Sequence, residues 1–199
     1  MKKIAFIWPI VLVILTILII GCKSSAAEPS YADDPRSRII GAEGIARPEW
    51  MNGPPNSADS DLYYVIGTEP GLQTRNAKVT AARNDAAAQL AQWKSAVVMD
   101  TMKSYQEEGG IVGNTQALFR FEQATITRSQ ANVAGFNLET YWIDPDGIYH
   151  GLFSYPKENV RNDFQATVNT FERNEAAAFA DFKAQEAFRL LEAQMDAPR

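Results

Sequence analysis

The chain of 199 residues contains one cysteine and one histidine, and basic side chains are fewer than acidic ones. A single cysteine excludes an intrachain disulfide and any zinc site built from several thiolates. A single histidine excludes paired-imidazole metal sites and leaves little material for acid–base catalysis. The net charge of −5 argues against nucleic-acid binding, because phosphate contacts need a basic surface. With 46% hydrophobic residues, the chain can form one folded domain with appendages.

The N-terminal residues have the pattern of an export signal. Residues 1–3 (MKK) are a short basic start, and residues 4–20 are an apolar run of 17 residues without a charge. Residues 19–22 read IIGC, so the only cysteine directly follows a small residue. A basic start, an apolar run and a small-residue cleavage point are typical of a secretory signal. The IIGC sequence resembles a bacterial lipobox. This resemblance implies diacylglycerol transfer to Cys22, cleavage before it and acylation of the new N terminus.

An uncleaved membrane anchor is the alternative, because 17 apolar residues are at the lower edge of a spanning helix. Lipidation is the favoured interpretation, since an unpaired cysteine in an exported protein otherwise needs explaining. Lys23 follows the acylated position, and by analogy with the sorting rule of enteric bacteria the absence of aspartate there favours the outer membrane. Loss of residues 1–21 lowers the net charge from −5 to −7. The acidic body then has no electrostatic reason to lie flat on an anionic membrane.

The composition predicts three segments after the signal at residues 1–21. Residues 22–45 are rich in small, charged and turn-forming types without periodicity, which is typical of a flexible tether. Residues 46–155 alternate between strand-like and helical patterns and predict the folded domain. Residues 156–199 predict a C-terminal amphipathic helix that packs on this domain or extends from it.

Hydropathy patterns within the domain first predict a strand and two helices. Residues 62–67 are aromatic and β-branched, which predicts a short strand buried on both faces. Residues 74–108 follow a helical pattern and hold six alanines between positions 81 and 91. Residues 114–133 predict a second helix. Three glycines separate the two helices: Gly109, Gly110 and Gly113.

Two alternating runs, residues 135–143 and 148–155, flank a DPDG turn at residues 144–147 and predict a β-hairpin. In the first run we expect Phe136, Leu138 and Trp142 on one face, opposite Asn137, Glu139 and Tyr141. A single last helix should then run from Pro156 to about Ala193. The order strand, helix, helix, strand, strand, helix predicts an α+β fold, with a small antiparallel sheet packed by two to three helices.

In the order of its motifs the chain resembles the LPP-twenty family of bacterial lipoproteins. The motifs that follow the lipobox are PEW at residues 48–50, YVIG at 64–67 ahead of the alanine-rich helix, and YWIDPDGIY at 141–149 followed by Leu152. The resemblance implies a small α+β domain, lipid-anchored in the outer membrane and facing the periplasm, with the cell surface as an alternative. It implies no enzymatic activity and no cofactor, and it connects relatives to surface antigens and to envelope assembly around the flagellum. The long final segment departs from this family pattern.

No constellation in the sequence supports catalysis or a metal site. His150 should share a strand face with Ile148 and Leu152, and without a positioned nucleophile or carboxylate it is interpreted as structural. Asp144 and Asp146 are too few oxygen ligands for calcium and fit the turn instead. The three glycines end a helix and lack the lysine of a phosphate-binding loop.

The sequence therefore favours a non-enzymatic interaction or scaffold module, with envelope proteins or a second copy as partners. Candidate partner-binding residues are Trp50 in the proline-rich segment and three apolar residues of the last helix: Phe179, Phe188 and Leu191. The alternative for that helix is that it folds back on its own core. The alternative function is a small-ligand, peptidoglycan or glycan-binding module that uses Trp50.

Overall fold

The computed structural model describes residues 35–56, 60–71, 74–109, 115–174 and 182–197, and its contacts divide the chain into Met1–Asp34 and Pro35–Arg199. The predicted signal, Cys22 and Phe179 therefore lie outside the described residues. None of the helices in the described residues has both the length and the apolar composition of a membrane span. The predicted α+β class is confirmed, because the described residues form a three-stranded antiparallel sheet and four helices.

The elements follow the predicted order, with one more helix at the end. Two short 3-10 turns, Pro35–Arg38 and Glu49–Asn52, come first. The strands are β1 (Leu62–Glu69), β2 (Asn137–Ile143) and β3 (Tyr149–Pro156). The helices are α1 (Arg75–Gly109), α2 (Thr115–Ala131), α3 (Glu158–Asn174) and α4 (Ala184–Asp196). The sheet order is β1-β3-β2, so the predicted β2–β3 hairpin is confirmed and β1 pairs with β3.

A very close approach between α1 and β1 explains the alanine-rich stretch. Ala82 and Ala86 are fully buried, and a Cβ added at Gly67 would lie 1.9 Å from the carbonyl oxygen of Ala82. Small side chains on the helix and a glycine on the strand thus bring the two backbones together. Val65 and Glu69 are buried beside Gly67 on β1, whereas the intervening residues are partly exposed. The prediction that β1 is buried on both faces is wrong, because helices cover only one face of the sheet.

A β-bulge in β2 changes which residues face the core. The register with β3 shifts between Leu138 and Thr140, so an extra residue breaks the alternation there. Leu138 and Tyr141 consequently pack on the main core, whereas Trp142 pairs with His150 on the face without helices. The expectation that Trp142 shares a face with Leu138 is wrong for this reason. Trp142 is nevertheless buried.

The C-terminal region packs into the same core as the sheet. The described residues after β3 form two helices, α3 and α4, so the prediction of one helix from Pro156 to Ala193 is wrong. Residues 182 and 183, directly before α4, are not helical, and the Lys183 backbone N–H donates to the Tyr105 hydroxyl at 2.8 Å. The Phe121 ring contacts three phenylalanines of this region at centroid distances of 5.2–5.4 Å: Phe164, Phe171 and Phe182. These three phenylalanines of the final segment therefore pack inside the domain.

Residues 39–47, here named the N-terminal hairpin, form a short antiparallel turn on the sheet. The Arg47 N–H donates to the Ile39 carbonyl at 2.8 Å, and the Gly41 N–H donates to the Ile45 carbonyl at 2.9 Å. The Ala42 N–H donates to the Ile143 carbonyl at the end of β2. The prediction of a flexible tether through residue 45 is therefore wrong for residues 39–45. Backbone hydrogen bonds order this segment, although its sequence has no periodic apolar pattern.

Candidate functional site

The sheet face without helices brings together the only histidine and three other polar or aromatic groups. The register places Thr68 of β1 opposite His150 of β3, and His150 opposite Trp142 of β2. These three side chains therefore form a row across the sheet. Asp144, in the turn between β2 and β3, reaches the same histidine.

Both imidazole nitrogens of His150 have a polar neighbour. Nε2 lies 3.4 Å from Asp144 Oδ2, and Nδ1 lies 3.3 Å from the Thr68 hydroxyl. The Trp142 indole stacks against the ring at a centroid distance of 5.8 Å. The other carboxylate oxygen of Asp144 accepts backbone N–H groups from Asp146 and Ile148 at 2.9 and 2.8 Å. The turn and the two strands are thereby joined through one half-buried histidine.

A hydroxyl, an imidazole and a carboxylate in line are also the parts of a nucleophile–base–orienter set. Acyl transfer additionally needs donors for the developing oxyanion. The backbone N–H of Thr68 itself already donates to Asp85 Oδ2 at 2.9 Å. Because this N–H already has an acceptor, a structural role for His150 is favoured, as the sequence suggested. The expectation that no hydroxyl or carboxylate is positioned beside His150 is wrong, because strand pairing brings in Thr68 from 82 residues away.

The described residues contain no group of three or more histidine, cysteine, aspartate or glutamate side chains that could hold a metal. Asp144 serves the turn and His150, as described above. Gly147 at the end of this turn has a φ of 82°, and its N–H donates to the Asp144 carbonyl. The predicted turn is confirmed.

A buried lysine forms a second polar cluster inside the domain. Lys94 of α1 is 1% exposed, and its ammonium donates to the carbonyls of Ser129 and Asn132 at 2.5 and 2.6 Å. These carbonyls belong to the C-terminal end of α2, where a cation is favourable. The ammonium also lies 4.5 Å from the centroid of the Tyr155 ring. Lys94 therefore connects α1 to the C-terminal end of α2 and to β3 of the sheet.

Burial changes the protonation behaviour of this cluster. It lowers the pKa of Lys94 to about 8, although the nearby Asp163 carboxylate acts in the opposite direction. Burial also raises the pKa of Tyr155 to about 12 and raises the pKa of Asp163. The Asn132 amide donates to both oxygens of Asp163 at 3.1 Å. Perturbed pKa values also occur at active sites, but Lys94 is enclosed and donates to two carbonyls at the end of α2, so we assign it to structure.

The structure separates the residues that the sequence proposed for partner binding. Leu191 is fully buried. Its side chain has no accessible surface, so the prediction that it binds a partner is wrong. Phe188 is half-buried, with its ring edge-on to Phe164 at a centroid distance of 5.0 Å. Trp50 lies in the 3-10 turn Glu49–Asn52 and is half-buried. Of the three, Trp50 and Phe188 still have accessible side-chain surface.

Side chains cover the free edge of β1 and limit how a partner could bind there. Asn56 accepts the Tyr64 N–H and donates to the Tyr64 carbonyl. Further along, Gln89 donates to the Ile66 carbonyl at 3.0 Å, and Asp85 accepts the Thr68 N–H. An edge whose backbone groups are paired in this way does not offer a template for an added strand.

Six large apolar residues of the described chain are clearly exposed, and they are Ile39, Ile40, Ile45, Met99, Phe119 and Val133. Three of the six belong to the N-terminal hairpin. Sequence reasoning missed this surface because the hairpin lies in a segment without periodicity. The available signal was the IIGAEGIA sequence at residues 39–46, which has isoleucines on both sides of a glycine turn.

Sequence reasoning also missed Lys94. The signal was a lysine within the apolar helical stripe, next to Trp93 and three residues before Val97.

Comparisons with family models, with curated proteins and with solved structures found no match to this chain.

Proposed function

We propose that this protein is a bacterial lipoprotein, anchored in the cell envelope through lipid on Cys22, whose folded domain acts by binding and not by catalysis. The observation that carries the proposal is the IIGC sequence at residues 19–22 after a basic start and an apolar run. The outer membrane is the proposed location, and the domain faces the periplasm.

The layout of the chain supports a domain held close to a membrane. Twelve residues separate Cys22 from Pro35, where the second compact unit begins. Even fully extended, a chain of this length spans no more than about 45 Å. A tether of this kind keeps the domain near the bilayer and raises its effective concentration toward neighbouring envelope components.

Binding is favoured over catalysis by how the polar groups of the domain are used. His150 contacts both Asp144 and Thr68, and the buried Lys94 ammonium donates to the C-terminal end of α2. The contacts within the domain explain the positions of these polar groups without a bound substrate. We include membership of the LPP-twenty family in the proposal, on the strength of the motifs around residues 48–50, 64–67 and 141–149.

Membrane fractionation of a Cys22→Ser variant tests the anchoring. Without the thiol no thioether to diacylglycerol can form, so we expect the variant to lose mature acylated protein from the detergent phase. A Ser24→Ala variant, which leaves IIGC intact, should partition like the wild type. Equal partitioning of Cys22→Ser and wild type into the detergent phase as acylated protein would contradict lipidation at Cys22.

Crosslinking in intact cells, followed by detergent solubilisation and mass spectrometry, tests the binding role. The expected result is specific capture of envelope-assembly proteins or of a second copy. The alternative, a glycan-binding module, is supported only by the partly accessible Trp50 side chain. Saturable binding to peptidoglycan fragments that is lost in Trp50→Ala would favour that alternative.

A further inference from the structure

The first turn of α1 carries cations where a helix normally carries acidic residues. The helix begins at Arg75, and its first turn also holds Lys78 but no aspartate or glutamate. The N-terminal end of a helix has a partial positive charge, so cations are unfavourable there and anions are favourable. Departures from such a local rule concentrate at functional sites.

Neither cation has a carboxylate partner among the described residues. The Arg75 guanidinium donates to the Tyr141 hydroxyl at 2.7 Å and lies 4.9 Å from the centroid of the Tyr141 ring. The Lys78 ammonium donates to the Gly147 carbonyl at 2.6 Å. These acceptors are neutral, and the ion pairs of the described residues involve other cations. The two charges are therefore held in place without being neutralised.

Most carboxylates of the surrounding elements serve other groups. Four of them accept hydrogen bonds elsewhere: Glu69 from Gly71, Asp85 from Thr68, Glu139 from Ser154, and Asp144 from its own turn. Glu43 of the N-terminal hairpin and Asp146 of the β2–β3 turn are exposed. Neither of these two forms an ion pair with Arg75 or Lys78.

A buried hydroxyl without a hydrogen-bond partner lies near Arg75. Tyr149, the first residue of β3, is fully buried, and its hydroxyl has no hydrogen-bond partner among the described residues. Its ring stacks on Tyr141 at a centroid distance of 5.3 Å. Burial raises the pKa of Tyr149, Tyr141 raises it further, Arg75 lowers it and Glu43 raises it. The electrostatic neighbours of this hydroxyl are thus the groups at the start of α1 and Glu43.

The groups that meet here are mainly donors. Because the Tyr141 hydroxyl accepts a hydrogen bond from Arg75, its own hydrogen is left to donate. The Tyr149 hydroxyl and the other N–H groups of the Arg75 guanidinium add further donors. A buried hydroxyl with no acceptor is unfavourable. An anionic oxygen group accepts several hydrogen bonds at once and is also the ligand that a helix N terminus favours.

We propose that the start of α1 binds the anionic oxygen group of a small solute, a carboxylate or a phosphate, through Arg75, Tyr141 and Tyr149. Lys78 adds positive charge beside the site. The Arg75 side chain is exposed, so it can turn away from the Tyr141 ring and admit the anion to the Tyr149 hydroxyl. This inference goes beyond the proposed function and does not require the lipid on Cys22.

Calorimetric titration of the full acylated protein in neutral detergent micelles tests the site, with sodium phosphate and sodium acetate as probes at constant ionic strength. We expect saturable binding of at least one anion, and the tighter of the two identifies the group. Arg75→Gln should weaken this binding at least about tenfold, because it removes charge-assisted hydrogen bonds.

Arg83→Gln is the matched control for charge. Its guanidinium also lies over a ring, 5.3 Å from the Phe136 centroid, and donates to the Phe136 carbonyl at 2.8 Å. It is two turns further along α1, so its loss should change the affinity less than about twofold. Equal weakening by Arg75→Gln and Arg83→Gln would show unspecific charge attraction and overturn the inference.

Tyr149→Phe separates binding from a structural role. Because the hydroxyl has no partner in the protein, the urea midpoint measured without either anion should not fall. The affinity should fall about fivefold, as expected for the loss of one hydrogen bond. Glu43→Gln should strengthen binding by removing a competing negative charge.

The inference is overturned if neither anion binds saturably, or if Tyr149→Phe binds like the wild type. It is also overturned if Tyr149→Phe and Glu43→Gln lower the urea midpoint equally, since Glu43 would then be the acceptor of the hydroxyl. The mass of the N-terminal peptide, measured on the same sample, reports the anchor separately. Acylated protein that binds neither anion overturns only this inference.

Discussion

At the scale of single residues, the domain uses its few unusual side chains to connect elements that are distant in sequence. His150 joins a turn to two strands through Asp144 and Thr68. Lys94 joins α1 to the last carbonyls of α2 and to the Tyr155 ring of β3. Each is a polar group whose partners compensate for its burial, as buried polar groups require.

The protonation of Lys94 should make stability rise with pH in the weakly alkaline range. Because burial lowers its native pKa to about 8 from a usual 10.5, the unfolded lysine retains a proton between these values that the native lysine has lost. The free energy of unfolding should then increase by up to about 1.4 kcal/mol per pH unit from pH 8 toward pH 10. Urea unfolding at several pH values measures this.

The Lys94→Met variant is the matched control, since it keeps the length of the side chain without an ionisable group. Its unfolding free energy should lack the rise between pH 8 and 10. Above pH 10 both proteins should lose stability. The native state keeps a proton on Tyr155, whose pKa is about 12, after the unfolded state has lost it. An identical rise in wild type and Lys94→Met would contradict the assignment to Lys94.

At the scale of elements, the contact between α1 and β1 depends on a residue without a side chain. A Gly67→Ala substitution would place a methyl 1.9 Å from the Ala82 carbonyl oxygen, and this is backbone that cannot rotate away. We expect a loss of at least about 1–3 kcal/mol in the free energy of unfolding, the usual range for overpacking. Thermal or urea unfolding of the purified protein is the measurement.

Gly71→Ala is the comparison for Gly67→Ala. Its added methyl would meet only the Glu69 carboxylate, at 3.9 Å, an ordinary contact distance. This variant should unfold like the wild type. If both variants were equally stable, the close packing of α1 on β1 would be wrong.

Substitutions in α4 test whether this helix belongs to the core or presents a surface to a partner. Leu191 is fully buried against the rest of the domain, so Leu191→Ala should reduce the free energy of unfolding by about 2–5 kcal/mol. Ala193→Ser, at an exposed position of the same helix, should change it little. A Leu191→Ala protein as stable as the wild type would indicate that α4 is not part of the core.

The sequence predicted elements well wherever periodicity was strong and local. The helical stripe of α1 and the turn at residues 144–147 are confirmed within a residue or two of their ends. What the sequence could not show depends on long-range contacts. The bulge before Thr140 moved Trp142 to the other face, and strand register brought Thr68 to His150. Neither event leaves a local pattern, and the N-terminal hairpin is held by backbone bonds that side-chain patterns do not reveal.

At the scale of the whole molecule, the described residues between 35 and 197 form an α+β domain, and the proposed lipid anchor at Cys22 precedes it in the chain. Phe164, Phe171 and Phe182 pack on Phe121 inside the domain, and side chains cover the free edge of β1. Its N-terminal hairpin holds half of the large exposed apolar residues of the described chain.

The mass of the N-terminal peptide, measured on protein purified from bacterial membranes, tests the proposed anchor. We expect a peptide that begins at Cys22 and carries a thioether-linked diacylglycerol and an amide-linked acyl chain. A peptide that still contains the apolar run of residues 4–20, or one with a free Cys22 thiol, would contradict it.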